Sequence, residues 1–406
     1  MKFEKFGNGT FIRACFIPNI GIQVAKRSRR LYGFDGAHLK GEMNQRGFFL
    51  VATSKDFNSS ILPFAFSLVP VENKEHWIWF LYVVKEALGD IEAFTALSDR
   101  DKGLQAGVHT VFPRAGHRFC LRHIKGNITS KEKISLTNKE RGLISKMANC
   151  DCENDYKLLE SELKITKPAA ATYLSGISKQ HWVKYVYQDH FKLPTYGETT
   201  SNLAEQSNNW IGNKCRSAKP LDAFGLYFRK LSELVSSKRQ LAATWLDKRQ
   251  STTLVPQLAK KREDLIKAAG SCQITPCLAG AYDVLYLGPT AEEGYIHPWR
   301  LVDLPGAECT CGNWQDTDFP CVHAVAAAIK DGRDLDTLYD AEIMSIGYFK
   351  ETYNVSFKPW PIDVILEKDT GLLVPAIQEN PRENGKRGLK PGPKPKHKRK
   401  KTKGAE

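Results

Sequence analysis

The sequence of 406 residues has no apolar run long enough to span a bilayer, and its first residues lack the layout of a secretory signal peptide. We therefore expect no membrane segment and an intracellular protein. Thiols stay reduced in that compartment, so the ten cysteines are not expected to form disulfides. Internal repeats are also lacking, which excludes a repeat architecture.

The composition is that of a folded chain. Hydrophobic residues make up 42% of the sequence and aromatic residues 10%, which is enough to build a core and excludes a wholly disordered protein. The length fits two or three domains.

Positive charge is concentrated at the C-terminal end. Residues 385–406 contain ten Lys or Arg and one Glu, a net +9 of the total +14, which leaves only +5 for the other 384 residues. Such a run suits phosphate contacts and nuclear import, and we expect both uses; the alternative is a solubilising tail. Proline, glycine and lysine predict disorder from Glu379 onward. The expected DNA contacts are Lys394, Lys396, Lys398, Arg399, Lys400 and Lys401.

Four residues near the C-terminal end have metal-ligand spacing. Cys309-x-Cys311 and Cys321-x-His323 are separated by nine residues rich in turn formers. Three thiolates and one imidazole form a closed tetrahedral set, which is what a structural Zn²⁺ ion takes. The alternative is a chance cluster or a set of buried core residues. The spacing resembles the SWIM zinc finger.

Residues 28–125 alternate between strand and helix patterns. Three β-rich runs are followed by a helix, a fourth strand, a second helix and a fifth strand. This is the order of a ribonuclease H-like α/β fold. The segments in that order are RLYGFDG, GFFLVATS, ILPFAFSLVPV, HWIWFLYVVKEALG, FTALSD, KGLQAGVHTVF and HRFCLRHI.

The rest of the chain divides by pattern. Three helical segments, SNLAEQSNNWIGNKC (opened by a Ser N-cap at Ser201), LDAFGLYFRKLSELVSSKRQLAATWL and PQLAKKREDLIKAAG, precede a hairpin-like pair that leads into the zinc ligands. The predicted domains are an N-terminal remnant (1–27), a core (28–220) with a helical insertion (about 130–195), a helical connector (221–280), the finger (281–335), an extension (336–378) and a disordered basic tail (379–406).

Two aspartates end predicted strands. Asp35 closes the first strand and Asp99 the fourth, 64 residues later, and these strands are neighbours in a ribonuclease H-like sheet. Their carboxylates would then share one site suited to Mg²⁺ or Mn²⁺, where two ions can assist phosphodiester chemistry. The alternative for each is a turn-forming or helix-capping Asp, the role we expect for Asp101.

Five motifs in order resemble the Mutator-like element (MULE) transposases. They span roughly residues 28–330 and read FDGAHLKG, LSDRDKGL, HRFCLRHI, TSNLAEQSNNWI and CTCGNWQ…FPCVHAVAAAI. The resemblance implies a DDE-type catalytic core with Asp35 and Asp99 as the first two acids. It implies Glu205 as the third, 106 residues beyond Asp99, with Glu198 as second choice.

Cys120 and His123, with His117 close by, match a further motif of this family. They imply an accessory structural or DNA-positioning role; the alternative is a buried thiol beside a hydrogen-bonded histidine, and a second zinc lacks a clear fourth ligand. The thiols outside both motifs are expected to be free; they are Cys150, Cys152, Cys272 and Cys277.

The resemblance implies an enzyme that cleaves double-stranded DNA at transposon ends and joins the freed 3′-hydroxyl to target DNA, as a homo-oligomer. Family members usually carry an N-terminal DNA-binding domain, whereas only about 27 residues precede the first strand here. A truncated copy, a fragment, or a member that relies on its finger and tail all fit. The alternatives are a domesticated, non-catalytic DNA-binding regulator and a finger that binds protein.

Overall fold

A computed structural model describes residues 1–44, 46–200, 202–289 and 298–358 together with Leu373, and gives only the backbone of Asn202, Ala204, Glu205 and Leu278. The predicted basic tail, the predicted N-cap Ser201 and residues 359–378 of the predicted extension, apart from Leu373, lie outside the described residues.

The described strands are numbered in chain order. They are β1 Lys2–Lys5, β2 Phe11–Phe16, β3 Leu31–His38, β4 Phe48–Lys55, β5 Ile61–Val69, β6 Thr95–Ser98, β7 Gly116–Phe119, β8 Cys272–Leu278, β9 Ala281–Tyr286, β10 Trp299–Asp303 and β11 Glu308–Cys309.

The described helices are numbered in the same way. They are α1 Asn19–Lys26, α2 Lys74–Leu88, α3 Lys102–Val111, α4 Leu121–Ser130, α5 Asn138–Ala148, α6 Glu153–Thr166, α7 Pro168–Ser175, α8 Lys184–Phe191, α9 Asn202–Arg216, α10 Pro220–Leu246, α11 Pro256–Ala269, α12 Asn313–Thr317, α13 Val322–Asp331 and α14 Ile346–Tyr353.

The larger sheet has the strand order β1-β2-β5-β4-β3-β6-β7. The pairs β3–β6 and β6–β7 are parallel and the other pairs are antiparallel. From β3 to β7 the elements follow as three strands, α2, β6, α3 and β7, so the predicted order is confirmed. The result is a mixed α/β structure in which long crossovers join the parallel strands.

Local signals in the sequence set the helix ends in this region. Asn73 caps α2 by accepting a hydrogen bond from the His76 backbone amide at 2.9 Å, and Gly89 ends the helix with a φ of 71°. Asp101 caps α3 by accepting from the Leu104 amide at 2.9 Å, as the sequence predicts. Short polar residues at these junctions therefore fix where strand gives way to helix.

The first 27 residues are part of the larger sheet and do not form a separate remnant. Strand β2 pairs with β5, β1 pairs with β2, and α1 packs against β5. Periodicity missed these short strands because their apolar residues alternate only briefly.

The predicted connector and extension also contribute to the main core. Helix α10 packs on β5, where the Tyr227 ring stacks on Phe66 with centroids 4.7 Å apart. Helix α14 packs against α10 and α1. The main hydrophobic cluster therefore joins segments far apart in sequence.

The predicted insertion is helical, as expected. Helices α4 to α7 enclose a second apolar cluster that includes Ile144, Met147 and Trp182. Helix α8 follows it and reaches the C-terminal part of the chain through Lys184 and Gln188.

The zinc-ligand motif belongs to a second, smaller antiparallel sheet with the order β11-β10-β9-β8. The predicted hairpin is the pair β9–β10; β8 was not predicted. Helix α13 packs on β8, β9 and β10 and against α11, and these contacts enclose a third apolar cluster.

Replacing Tyr227 tests the contribution of α10 to the core. Its side chain is buried and its hydroxyl donates to the Pro63 carbonyl at 3.0 Å, so Tyr227→Ala should lower the free energy of unfolding by about 3–5 kcal/mol in chemical denaturation. Leu221→Ala on the exposed side of the same helix should change it by less than about 0.5 kcal/mol. Equal effects would mean that α10 is not a core helix.

Candidate active site and zinc site

Parallel pairing of β3 with β6 brings the two predicted aspartates to one edge of the sheet. The last pair in the register is Gly33 with Leu97, and Asp35 and Asp99 each follow that pair by two residues. Asp99 directly follows the last residue of β6, as predicted, whereas Asp35 lies inside β3 and does not end it, because pairing with β4 extends β3 to His38. Burial raises the pKa of Asp35 to about 7, with repulsion from the Asp99 carboxylate as the next cause.

Asp99 is held by its own backbone turn. Its Oδ1 accepts a hydrogen bond from the Asp101 amide at 3.0 Å. The Ser98 hydroxyl donates to the Asp99 carbonyl at 2.7 Å, and His117 Nε2 lies 2.7 Å from the same hydroxyl oxygen. Because the single Ser98 hydroxyl proton is already donated, Nε2 of His117 is the donor in that second bond.

Helix α9 crosses β3 at Gly33, where a Cβ would lie 2.8 Å from Leu203. Only a residue without a side chain allows this close approach. Further along α9, Asn208 Nδ2 donates to Asp35 Oδ2 at 2.5 Å. Asn208 Oδ1 is buried and has no hydrogen-bond partner among the described residues. The site therefore contains an oxygen that is not yet satisfied.

Glu205, the predicted third acid, lies three residues before Asn208 in α9. Its side chain is outside the described part of the structure. The helix that carries it reaches the first aspartate, because Asn208 touches Asp35.

A further carboxylate, Glu72, was not predicted. It lies between β5 and α2, and a Cβ on Gly36 would be 2.5 Å from its Oε1. Burial raises the pKa of Glu72 to about 7, followed by repulsion from Asp101, Asp99 and Asp35. Trp77 Nε1 donates to the same carboxylate at 3.3 Å. The available signal was its position three residues after the buried strand β5.

Cys120 and His123 border this edge of the sheet. Cys120 caps α4 and its sulfur accepts from the His123 amide at 3.5 Å. The pKa of His123 is raised, first by its side-chain hydrogen bond with Cys120 and also by Asp99 and Asp35, although burial opposes the shift. An imidazole near both acids fits an accessory position.

His117 is a buried core residue and does not line the acidic site. Burial lowers its pKa to about 3, with nearby His181 as a smaller cause, so the ring is neutral. Its contact with Ser98 connects it to the Asp99 turn only through a hydroxyl group. Within the described residues neither His117 nor the Cys120–His123 pair belongs to a metal-compatible group of three side chains.

Glu198, the second choice for the third acid, is bound to a lysine away from the two aspartates. It forms an ion pair with Lys55, and both side chains are largely buried. Lys55 is four residues beyond Val51, which pairs with Asp35, so the two positions are separated by about 13 Å along the strand. The structure assigns Glu198 to a structural ion pair at the opposite end of β3.

The four predicted zinc ligands come together. Their ligand atoms all lie within 4.8 Å of one another, with Nδ1 of His323 at 3.8 Å from the sulfurs of Cys309 and of Cys321. Cys309 ends β11, Cys321 caps α13 and His323 is in its first turn. The three cysteines are buried. Three soft sulfur donors and one nitrogen at this spacing fit Zn²⁺.

The electrostatics of the ligand set favour a cation. The pKa of Cys311 lies well below its usual range because Cys309 and Cys321 donate hydrogen bonds to its thiolate. Zn²⁺ would replace those protons and stabilise all three thiolates. Cys150, Cys152, Cys272 and Cys277 are free cysteines, as predicted.

Comparison with known families agrees with this geometry. A model of the MULE transposase domain matches residues 31–127, which include Asp35, Asp99 and the Cys120–His123 pair. A model of the SWIM zinc finger matches residues 290–332, which include all four zinc ligands. No curated protein matches the chain.

The chain thus contains a MULE transposase domain, which suggests a nuclease or transposase, with a SWIM zinc finger downstream of it. More specifically, the MULE domain and the SWIM finger together indicate a Mutator-like transposase. A transposase domain suggests DNA as the ligand. No helix in the described part of the chain is long and apolar enough to cross a membrane.

Changing one zinc ligand tests the metal site. Cys321→Ser should lose bound zinc and unfold the finger, because metal binding and folding are coupled in such sites. Zinc content by atomic spectroscopy and proteolytic sensitivity of the finger measure this. Cys277→Ser, an exposed thiol on β8 of the same sheet, should keep its zinc. Zinc retained in Cys321→Ser would show that the ligand set is wrong.

The raised pKa of Asp35 predicts a pH-dependent stability. Between pH 3.8 and about 7 the folded chain holds a proton on Asp35 that the unfolded chain has lost, so rising pH destabilises the folded state across this window. Asp35→Asn removes this penalty. In buffer without Mg²⁺ or Mn²⁺ its melting temperature should exceed that of the wild type at pH 8 by more than at pH 5.

Asp90→Asn is the matched control for this experiment, because the Asp90 carboxylate is fully exposed. It should shift the melting temperature equally at both pH values. A pH-independent effect of Asp35→Asn would contradict burial of an unpaired carboxylate.

Proposed function

We propose that the protein is a DDE-type DNA transposase of the Mutator-like class with a ribonuclease H-like core. It hydrolyses a phosphodiester at transposon ends and joins the freed 3′-hydroxyl to target DNA. The observation that carries the proposal is the proximity of Asp35 and Asp99, which each follow the Gly33–Leu97 pair of the parallel strands β3 and β6 by two residues and interact electrostatically, inside the match to a MULE transposase domain.

Asp35, Asp99 and Glu205 are the proposed catalytic acids. Asn208 supports the third assignment, since it contacts Asp35 and follows Glu205 by three residues, a spacing that puts both positions on one side of α9. Glu72 is the proposed fourth carboxylate of the site.

The residues present fit divalent cations with oxygen ligands. Two carboxylates with raised pKa values and a buried, unpaired amide oxygen on Asn208 form an environment in which a cation relieves repulsion and desolvation. Mg²⁺ or Mn²⁺ bound there would supply activation of the attacking oxygen and stabilisation of the leaving oxygen.

The chain's own groups orient the acids. Asn208 fixes the Asp35 carboxylate by donating to Oδ2, and the Asp101 amide fixes Asp99. The raised pKa of His123, to which both acids contribute, favours its cationic form, which can approach the DNA backbone. Preorganised groups of this kind lower the cost of aligning the substrate.

DNA contacts beyond the acidic site are proposed for the C-terminal tail. Its lysines and arginines at 394–401 can neutralise phosphates without reading sequence. A basic run and a DNA substrate together support a nuclear location. Cleavage at paired ends supports a homo-oligomer as the working form.

The proposal is tested by nicking and strand transfer on DNA with Mg²⁺ or Mn²⁺. Asp35→Ala, Asp99→Ala and Glu205→Ala should each lower the rate by about a thousandfold or more while DNA affinity stays near the wild-type value. Glu72→Gln should lower it by about ten- to a hundredfold, the range found for groups that support metal ligands.

Glu75→Gln is the matched control, since Glu75 is an exposed carboxylate on α2 three residues from Glu72. It should cleave DNA like the wild type. A wild type that binds DNA without cutting it would replace the catalytic proposal with that of a DNA-binding protein. Activity retained in Glu205→Ala alone would remove the third-acid assignment.

A further inference from the structure

The zinc finger forms hydrogen bonds to residues 195–197, in the segment that leads into helix α9. Asp316, in α12 of the finger, is buried. Its Oδ1 accepts hydrogen bonds from the Thr195 amide at 3.0 Å and from the Thr195 hydroxyl at 2.6 Å, and its Oδ2 accepts from the Gly197 amide at 3.2 Å. The Tyr196 amide donates to the Asp316 carbonyl at 2.7 Å. One finger residue thus binds three consecutive residues of this segment.

A second set of contacts joins the finger to helix α8, just before the same segment. Lys184 Nζ donates to the Cys311 carbonyl at 3.1 Å and to Asn313 Oδ1 at 3.0 Å, and pairs with Asp151 at 2.5 Å. Gln188 Nε2 donates to the Gly312 carbonyl at 2.9 Å. These finger atoms belong to Cys311, the second residue of the first zinc-ligand pair, and to the two residues that follow it.

The charges at this interface are complementary. Lys184 is buried, which disfavours its charge, yet Asp151 keeps its pKa above the ordinary value. The Arg118 guanidinium on β7 is also buried, and burial lowers its pKa to about 10 although Asp316 attracts its charge. The Asp316 carboxylate attracts both buried cations, so moving the finger away would remove a favourable interaction from charges that stay buried.

The segment bound by Asp316, residues 195–197, connects directly to the candidate active site. Beyond Gly197, the Thr199 carbonyl accepts from the Leu121 amide at 2.9 Å, one residue after Cys120. Helix α9 begins at Asn202, five residues after Gly197, and carries Asn208 to Asp35. The finger is thereby joined through one short segment to both α4 and α9.

We propose that the zinc-loaded finger positions the active site, with Asp316 as the positioning residue that anchors Thr195–Gly197 and so fixes where α9 lies on β3. Loss of zinc, or of the Asp316 contacts, releases this segment while β3 and β6 stay paired. The catalytic consequence rests on the proposed function, since it requires that α9 supplies an acid; the structural consequence does not.

Hydrogen–deuterium exchange on the full-length protein tests this directly. Asp316→Asn replaces one of the two oxygens that together accept three hydrogen bonds by an NH₂ donor and removes the charge, so amides in 195–212 should exchange about ten- to a hundredfold faster, while those of β3 and β6 stay unchanged. Zinc content should equal that of the wild type because no ligand is altered. Asp303→Asn, at an exposed finger aspartate whose side chain accepts a hydrogen bond from the Gly306 amide, is the matched control and should leave exchange unchanged.

Thr195→Val keeps the inference testable if Asp316→Asn fails to fold, because it removes one donor to Asp316 and leaves the finger untouched. It should also speed exchange in 195–212, and removal of zinc by a chelator should do the same. Exchange in 195–212 that stays at the wild-type rate in the folded variants and after zinc removal would overturn the inference.

DNA cleavage gives the catalytic readout. Asp316→Asn should lower the maximal rate at saturating DNA by about tenfold or more without weakening DNA affinity, and Asp316→Glu should restore part of it. A wild type without cleavage would reject the proposed function, yet the exchange data would still decide whether the finger anchors α9. Faster exchange with an unchanged cleavage rate would overturn the catalytic part alone.

Discussion

The parallel pairing of β3 with β6 is the constraint on which the candidate active site depends. Parallel strands end at the same edge of a sheet, so residues that follow their last pairs must be neighbours. Gly33 opposite Leu97 sets that register, and Asp35 and Asp99 follow from it. A shift by one residue would turn one of the two carboxylates to the other face of the sheet.

Holding these carboxylates together is electrostatically unfavourable. Burial and mutual repulsion raise the pKa of both Asp35 and Glu72. The ionised carboxylates are therefore unfavourable in this site, and a divalent cation would stabilise them. The backbone amide of Asp101 and the side chain of Asn208 hold the two aspartates in place by hydrogen bonds. An unfavourable cluster held by a stable sheet is typical of a functional site.

The finger is in direct contact with the part of the chain that leads into helix α9. Lys184, Gln188 and Asp316 join them through hydrogen bonds to backbone and side-chain groups on both sides. The zinc ligands lie a few residues from these contacts, so a bound metal would help to hold residues outside its own small sheet in position. A finger bound in this way differs from one tethered by a linker, which would move independently of the catalytic edge.

The zinc site and the strand–helix order could be predicted from the sequence because their signals are local: ligand spacing, apolar periodicity and short polar caps such as Asp101. Glu72, the ion pair of Glu198 and the burial of His117 could not, since each depends on which distant segments meet. The sequence by itself determined which residue types were available and at what spacing. Only tertiary structure decided that Glu72 joins the two aspartates and that Asp316 binds the segment before α9, because each contact depends on how separate elements pack, and the Asp316–Thr195 contact spans 121 positions.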